Sequence, residues 1–201
     1  MNKKTQVGIV GAGPSGLLLS HLLHLEGIDS VVLEARSRKY VEERVRAGVL
    51  EQGTVDLLCD TGLGDRLQRE GLEHHGIELR FDGRGHRIAL SDLTSGRSIW
   101  IYGQREVVKD LINARLAADG TIHFEVDDVS LTGIDSSSPV LSYRKDGRDH
   151  KLNCDFIAGC DGFHGGSRES IPAGVLRTYH HIYPFGWLGI LAAVAPSTEE
   201  L

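Results

Sequence analysis

The chain lacks the features that would direct it to a membrane, to nucleic acid or to an oxidising compartment. No apolar run approaches the roughly 18 residues of a membrane-crossing helix. Lys and Arg number 22 against 28 Asp and Glu, a formal net charge of −6. That leaves no basic field to gather nucleic acid or acidic lipid. Only three cysteines are present, Cys59, Cys154 and Cys160. They are odd in number and form no C-x-x-C pair, which points to buried thiols in a reducing cytoplasm. The ten histidines form no H-x-x-x-H or H-E-x-x-H pattern, so no metal site is expected. There is no G-x-S-x-G, no P-loop lysine, no internal repeat and no low-complexity linker. The opening MNKKTQVGIV is charged and then apolar, but its apolar run is short and leads into a glycine loop. It reads as a first strand, not a secretory signal.

What the chain does have is concentrated between Gln6 and Glu34. The apolar run Val7 to Val10 meets Gly11, Gly13 and Gly16. A leucine-rich helical pattern follows, then a second apolar run ending at Glu34. This is G-x-G-x-x-G within a β-α-β unit, with an acid about 20 residues on. Gly11 permits the turn out of the strand, Gly13 lets backbone approach a pyrophosphate, and Gly16 lets helix lie close on strand. The pyrophosphate belongs at the helix N-terminus, where free N–H groups and the helix dipole favour negative charge. Glu34 is placed to accept hydrogen bonds from ribose hydroxyls.

Further along, Val49, Leu50, Val55, Leu57 and Leu58 suggest a helix closed by Thr61-Gly62. From Gly76 the apolar period is two, with Asp82-Gly83 as a hairpin turn. Ile99 to Tyr102 reads as a strand. Gln104 to Ala118 reads as an amphipathic helix with Val107, Val108, Leu111, Ile112 and Leu116 inward. Thr121 to Glu125 and Phe156 to Cys160 read as strands, and Asp146-Gly147 as a second hairpin turn. Leu176 to Tyr183 and Trp187 to Val194 are strand-like again, without a terminal helix or closing strand after them. The expected fold is α/β: a Rossmann-like sheet with an antiparallel sheet begun near the end of the chain. The expected division is a dinucleotide-binding region over 1–75, a hairpin insertion over 76–100, the dinucleotide-binding region again over 101–173, and the start of a second domain over 174–201.

Other signals admit two readings. Arg44-Val45-Arg46-Ala47-Gly48 could clamp phosphates or be a solvated charge run. Gln104, at a helix start, could reach a cofactor or cap the helix. Asp161, after an apolar strand and before Gly162, fits a ligand crevice or a turn in which Asp caps its own backbone. His164 is a candidate functional histidine by residue type or is simply solvated. Cys160 reads as a buried thiol and not a nucleophile.

GAGPSG, RVRAGVLEQG, YGQ, GCDGFHG and YPFGWLG together resemble the flavoprotein aromatic hydroxylases, from Thr5 to about Ala193. The resemblance implies FAD on the glycine loop, with Ser15 near the pyrophosphate and Glu34 on the adenosine ribose. It places Arg44, Val45, Arg46, Ala47, Gly48 and Val49 on the flavin side, with Gln104 and Asp161 at the cofactor. It assigns Arg36, Tyr40, Arg44, Arg46 and His164 to NADPH or NADH. The implied reaction inserts oxygen from O2 into 4-hydroxybenzoate, giving 3,4-dihydroxybenzoate, in a cytoplasmic homodimer. A related hydroxylase for another aromatic, or a non-catalytic nucleotide-binding module, are the alternatives. NADPH-preferring members carry arginine directly after the ribose-binding acid. Here that position is Ala35, so weak discrimination, or use of NADH, is expected. Members also continue well beyond residue 201, and their substrate contacts lie there. No catalytic residue is therefore expected within this chain, which resembles an N-terminal portion and is expected to be inactive alone.

Overall fold

The computed structural model describes residues 3–190 and 193–195. In chain order the elements are β1 (Lys3–Val10), α1 (Pro14–Leu25), β2 (Ser30–Leu33), α2 (Arg38–Glu43), β3 (Val49–Glu51), α3 (Gln52–Asp60), α4 (Gly64–Glu70), β4 (Leu72–His74), β5 (Ile77–Phe81), β6 (Arg84–Ile88), α5 (Leu90–Leu93), β7 (Ile99–Ile101), α6 (Gln104–Ala117), β8 (Thr121–His123), β9 (Asp127–Thr132), β10 (Val140–Lys145) and β11 (Arg148–Gly159). A 3₁₀ turn follows at Ser167–Ser170.

The main sheet has the order β8-β2-β1-β11-β10-β9. Its first four strands run parallel; β10 adds antiparallel to β11 through the Asp146-Gly147 turn, and β9 antiparallel to β10. β11 belongs to both parts: its first half pairs with β10 and its second half with β1. Alternation along β1 divides the core. Val7 and Ile9 join Leu17, Val107, Val108, Leu111 and Ile112 on the helix side. Val10 joins Leu33, Val126, Leu141, Tyr143 and Leu152 on the other. With both faces covered, the parallel strands are near-continuous apolar runs, as QVGIV and SVVL are. The mixed α/β architecture expected from the sequence is the one observed. β3-β7-β4 and β5-β6 form two smaller antiparallel sheets.

Several local expectations need correction. Val49 and Leu50 are in a strand pairing with β7, not in a helix; the helix starts at Gln52. In α6 the inward residue of the last turn is Arg115, 4% exposed, while Leu116 faces out at 37%. Arg115 Nε donates to Ser20 Oγ at 3.0 Å, and Ser20 Oγ lies 2.9 Å from Ser30 Oγ. The guanidinium thus ties α6 to α1 and β2, even though burial disfavours its charge. Phe156, expected in an apolar strand, is on β11 but 72% exposed. Strand β9 was not anticipated. Leu176 to Tyr183 forms no strand, nor do the described residues of Trp187 to Val194; residues 191–192 lie outside the description. Trp187 and Ile182 are almost fully exposed. A β-strand is stabilised by a hydrogen-bonded neighbour, and among the described residues none lies beside this stretch.

Candidate functional site

The glycine loop between β1 and α1 opens onto a cavity of about 670 Å³, within the range typical of ligand sites. Its shape depends on what three glycines allow. Gly11 has φ of +104°, and a Cβ there would sit 2.5 Å from the Cys160 carbonyl oxygen. A Cβ on Gly16 would run into the Gly11 carbonyl oxygen, so bare backbone is what lets α1 pack behind β1. Gly13 differs: a Cβ there would meet nothing within 4 Å. Gly13 is also the N-cap of α1, with no side chain capping the helix and Pro14 at its start. The helix therefore presents first-turn N–H groups that have no intrahelical acceptor, beside open space.

Glu34 follows β2 directly. Its Oε2 accepts the Ala12 N–H and its Oε1 the Arg36 N–H, each at 2.8 Å. Two backbone donors hold the carboxylate in place, and each oxygen retains capacity for a hydroxyl donor. Gly11, Gly13, Ser15 and Glu34 all line the cavity. Arg36, Tyr40, Arg44 and Arg46 also line it, with the Arg36 and Arg44 guanidiniums 5.5 and 5.8 Å from the Tyr40 ring centre. Between exposed side chains such contacts contribute about 0.5–1 kcal/mol each. Gln104, Asp161 and His164 complete the expected residues found at the cavity. Gly16, Val45, Ala47, Gly48 and Val49 are not in its wall; Val45 and Val49 are about half exposed.

Asp161 Oδ2 accepts the Ser167 N–H at 2.9 Å, so it caps its own turn while lining the cavity. Cys160 lines it too. Burial, and then the Asp161 charge, push its thiol up, which opposes a nucleophilic role at neutral pH. Sequence reasoning missed Arg105 and the segment Val126 to Val129, which also line the cavity. Val126 N–H donates to the Glu34 carbonyl at 3.1 Å, and Glu125 and Asp128 adopt φ of 58° and 52°. The period-two pair Val129 and Leu131 was the available signal for β9.

The sequence matches the FAD binding domain family over residues 4–200. This chain belongs to that family, the FAD-binding part of the flavoprotein hydroxylases. The family membership agrees with the motif resemblance. Among relatives, it is 46% identical to the p-hydroxybenzoate hydroxylase of Acinetobacter baylyi, covering 98% of this chain and 49% of that protein. It is 26% identical to 3-(3-hydroxy-phenyl)propionate/3-hydroxycinnamic acid hydroxylase 2 of Burkholderia vietnamiensis, over 92% of this chain and 34% of that one. The chain thus spans half or less of the length of these relatives. The crystal structure of p-nitrophenol 4-monooxygenase from Pseudomonas putida superposes with a TM-score of 0.71 at 22% identity, covering 81% of this chain and 42% of that one; that likeness speaks to the fold. Among the described residues, no helix is long and apolar enough to cross a membrane. For an FAD-binding domain, the free N-cap, the open space at Gly13 and the anchored Glu34 carboxylate are the features a dinucleotide needs.

Proposed function

We propose that the protein carrying this chain is an FAD-dependent hydroxylase that converts 4-hydroxybenzoate to 3,4-dihydroxybenzoate with NAD(P)H and O2. The observation that carries this reading is the 46% identity to a p-hydroxybenzoate hydroxylase along 98% of the chain. When bound, FAD supplies the hydride acceptance and oxygen activation. The residues of this chain bind and orient it. The N–H groups of Gly13, Ser15 and Gly16 take the pyrophosphate, and Glu34 takes the adenosine ribose hydroxyls. Gln104, Asp161 and the segment Arg44 to Val49 flank the cofactor toward the flavin. Arg36, Tyr40, Arg44, Arg46 and His164 receive the pyridine nucleotide, its phosphates matched by guanidinium groups. The balance is one aromatic substrate, one O2, one NAD(P)H and one proton to one catechol, one water and one NAD(P)⁺.

The test uses the purified protein. Bound FAD, 4-hydroxybenzoate-stimulated oxidation of NADH or NADPH, and 3,4-dihydroxybenzoate by chromatography are expected together. Bound FAD with stimulation only by a different aromatic would overturn the substrate. FAD without any pyridine-nucleotide oxidation would indicate a binding module.

Ala35 bears on the electron donor. It lies at the cavity between Glu34 and Arg36, and a methyl group cannot pair with a 2′-phosphate. Ala35→Arg is expected to shift the ratio of kcat/KM toward NADPH by about 1–2 kcal/mol, the scale of one charge-assisted contact. Strong native selectivity for NADPH, unmoved by the substitution, would show that Arg36 or Tyr40 already meets the phosphate.

A further inference from the structure

We infer that Arg66, outside the cavity wall, is a positioning residue for cofactor binding that locks the Tyr102-Gly103-Gln104 corner and, through it, sets Gln104 and the Arg44–Gly48 segment against the cavity. The inference rests on the FAD reading above. Arg66 is on α4. Its Nη1 donates to Asp110 Oδ1 at 2.7 Å and its Nη2 to Glu106, both on α6. Its Nε donates to Glu70 Oε2 at 3.0 Å within its own helix. The guanidinium carbon lies 5.7 Å from the Tyr102 ring centre. Tyr102 Oη donates to Asp110 Oδ2 at 2.6 Å, so one carboxylate is gripped by α4 and by the residue after β7.

The backbone of Tyr102 carries this order onward. Tyr102 N–H donates to the Gly48 carbonyl at 2.7 Å. A Cβ on Gly48 would sit 2.6 Å from Gly103 Cα, so these two stretches of chain touch backbone to backbone. Gly48 ends the segment bearing Arg44 and Arg46, and Gly103 caps the helix whose first residues are Gln104 and Arg105. All four of those side chains line the cavity. Tyr102 itself is 4% exposed, and a buried ring held at both ends has little freedom to shift.

Only a planar guanidinium can send three donors to three carboxylates in this arrangement. Without it, Glu106 and Asp110 are like charges four residues apart on one helix face, which repel. Lys109, 3.1 Å from Glu106, compensates only the first. The hydrogen bond from Arg66 is the leading reason that Glu106 titrates at about 2.

The measurement is the Kd for FAD of the purified apo-protein, by flavin fluorescence, beside its thermal midpoint. Arg66→Met is expected to raise Kd about tenfold, the scale of loosening a supporting shell, and Arg66→Lys to recover part of it. Arg69→Met, which removes only an exposed pairing with Glu70, should leave Kd unchanged. Gln104→Ala should weaken FAD less in the Arg66→Met background than in wild type. A lowered midpoint with unchanged Kd would overturn the inference and leave Arg66 as a purely structural residue. If Arg66→Met does not fold, Tyr102→Phe removes one hydroxyl and is expected to raise Kd about threefold; no change would overturn the proposal. A wild-type protein that takes up no FAD would overturn the FAD reading itself, which is distinct from a variant that binds as wild type does.

Discussion

Gly13→Val is expected to leave the apo-protein folded and to abolish flavin retention. Gly13 has φ of −74° and ψ of 176°, extended backbone that valine adopts readily, and a Cβ there meets no protein atom within 4 Å. The thermal midpoint of the apo-protein should therefore hardly move. The same open space is where a pyrophosphate has to come within hydrogen-bonding distance of the α1 N-terminus. An isopropyl group there holds it off. FAD affinity is expected to fall at least about a hundredfold, roughly 2.7 kcal/mol. Purified Gly13→Val carrying a full complement of flavin would remove the dinucleotide from this loop.

Gly16→Val, three residues on in the same motif, is expected to act the other way, on the fold first. Its Cβ would run into the Gly11 carbonyl oxygen and approach the Cys160 Cβ at 3.2 Å. Neither neighbour can yield easily, because Gly11 is held in the turn and Cys160 N–H donates to the Val10 carbonyl at 2.8 Å. α1 would have to move off β1, opening the cluster that includes Ile9 and Leu17, both fully buried. Overpacking of this kind is expected to cost about 3 kcal/mol or more, read as a fall in the denaturant midpoint of the apo-protein. A Gly16→Val protein with wild-type stability would mean that the helix-to-strand approach is not what this glycine serves. The paired experiment separates a glycine that leaves room for a ligand from one that leaves room for the protein.

Much of the dinucleotide half of the site was legible because its determinants are local. Strand, turn, helix, strand and acid occupy 29 consecutive residues, and each step has a sequence signature: apolar runs buried on both faces, Gly11 and Gly16 where Cβ atoms would collide, proline at the helix start. The helix α6 was legible for the same reason, although its apolar period put Leu116 inward where the structure buries Arg115. Arg115 is buried because Ser20, 95 residues away, accepts its Nε–H, and no window on the sequence shows that partner.

By itself, then, the sequence determined the β-α-β unit, the α/β class, the two hairpin turns and the family resemblance, since all of these follow from contacts or motifs within short stretches. Tertiary structure alone decided which further residues join those at the cavity. Arg105 enters it because Gly48 and Gly103 lie in contact, and Val126 because its N–H finds the Glu34 carbonyl across 92 positions. Arg66 acts on the same region through carboxylates 40 and 44 residues away. The apolar residues from Leu176 onward make the converse point. Their pattern is that of a strand, but a strand depends on a neighbouring strand to take its hydrogen bonds, and pattern alone does not provide one.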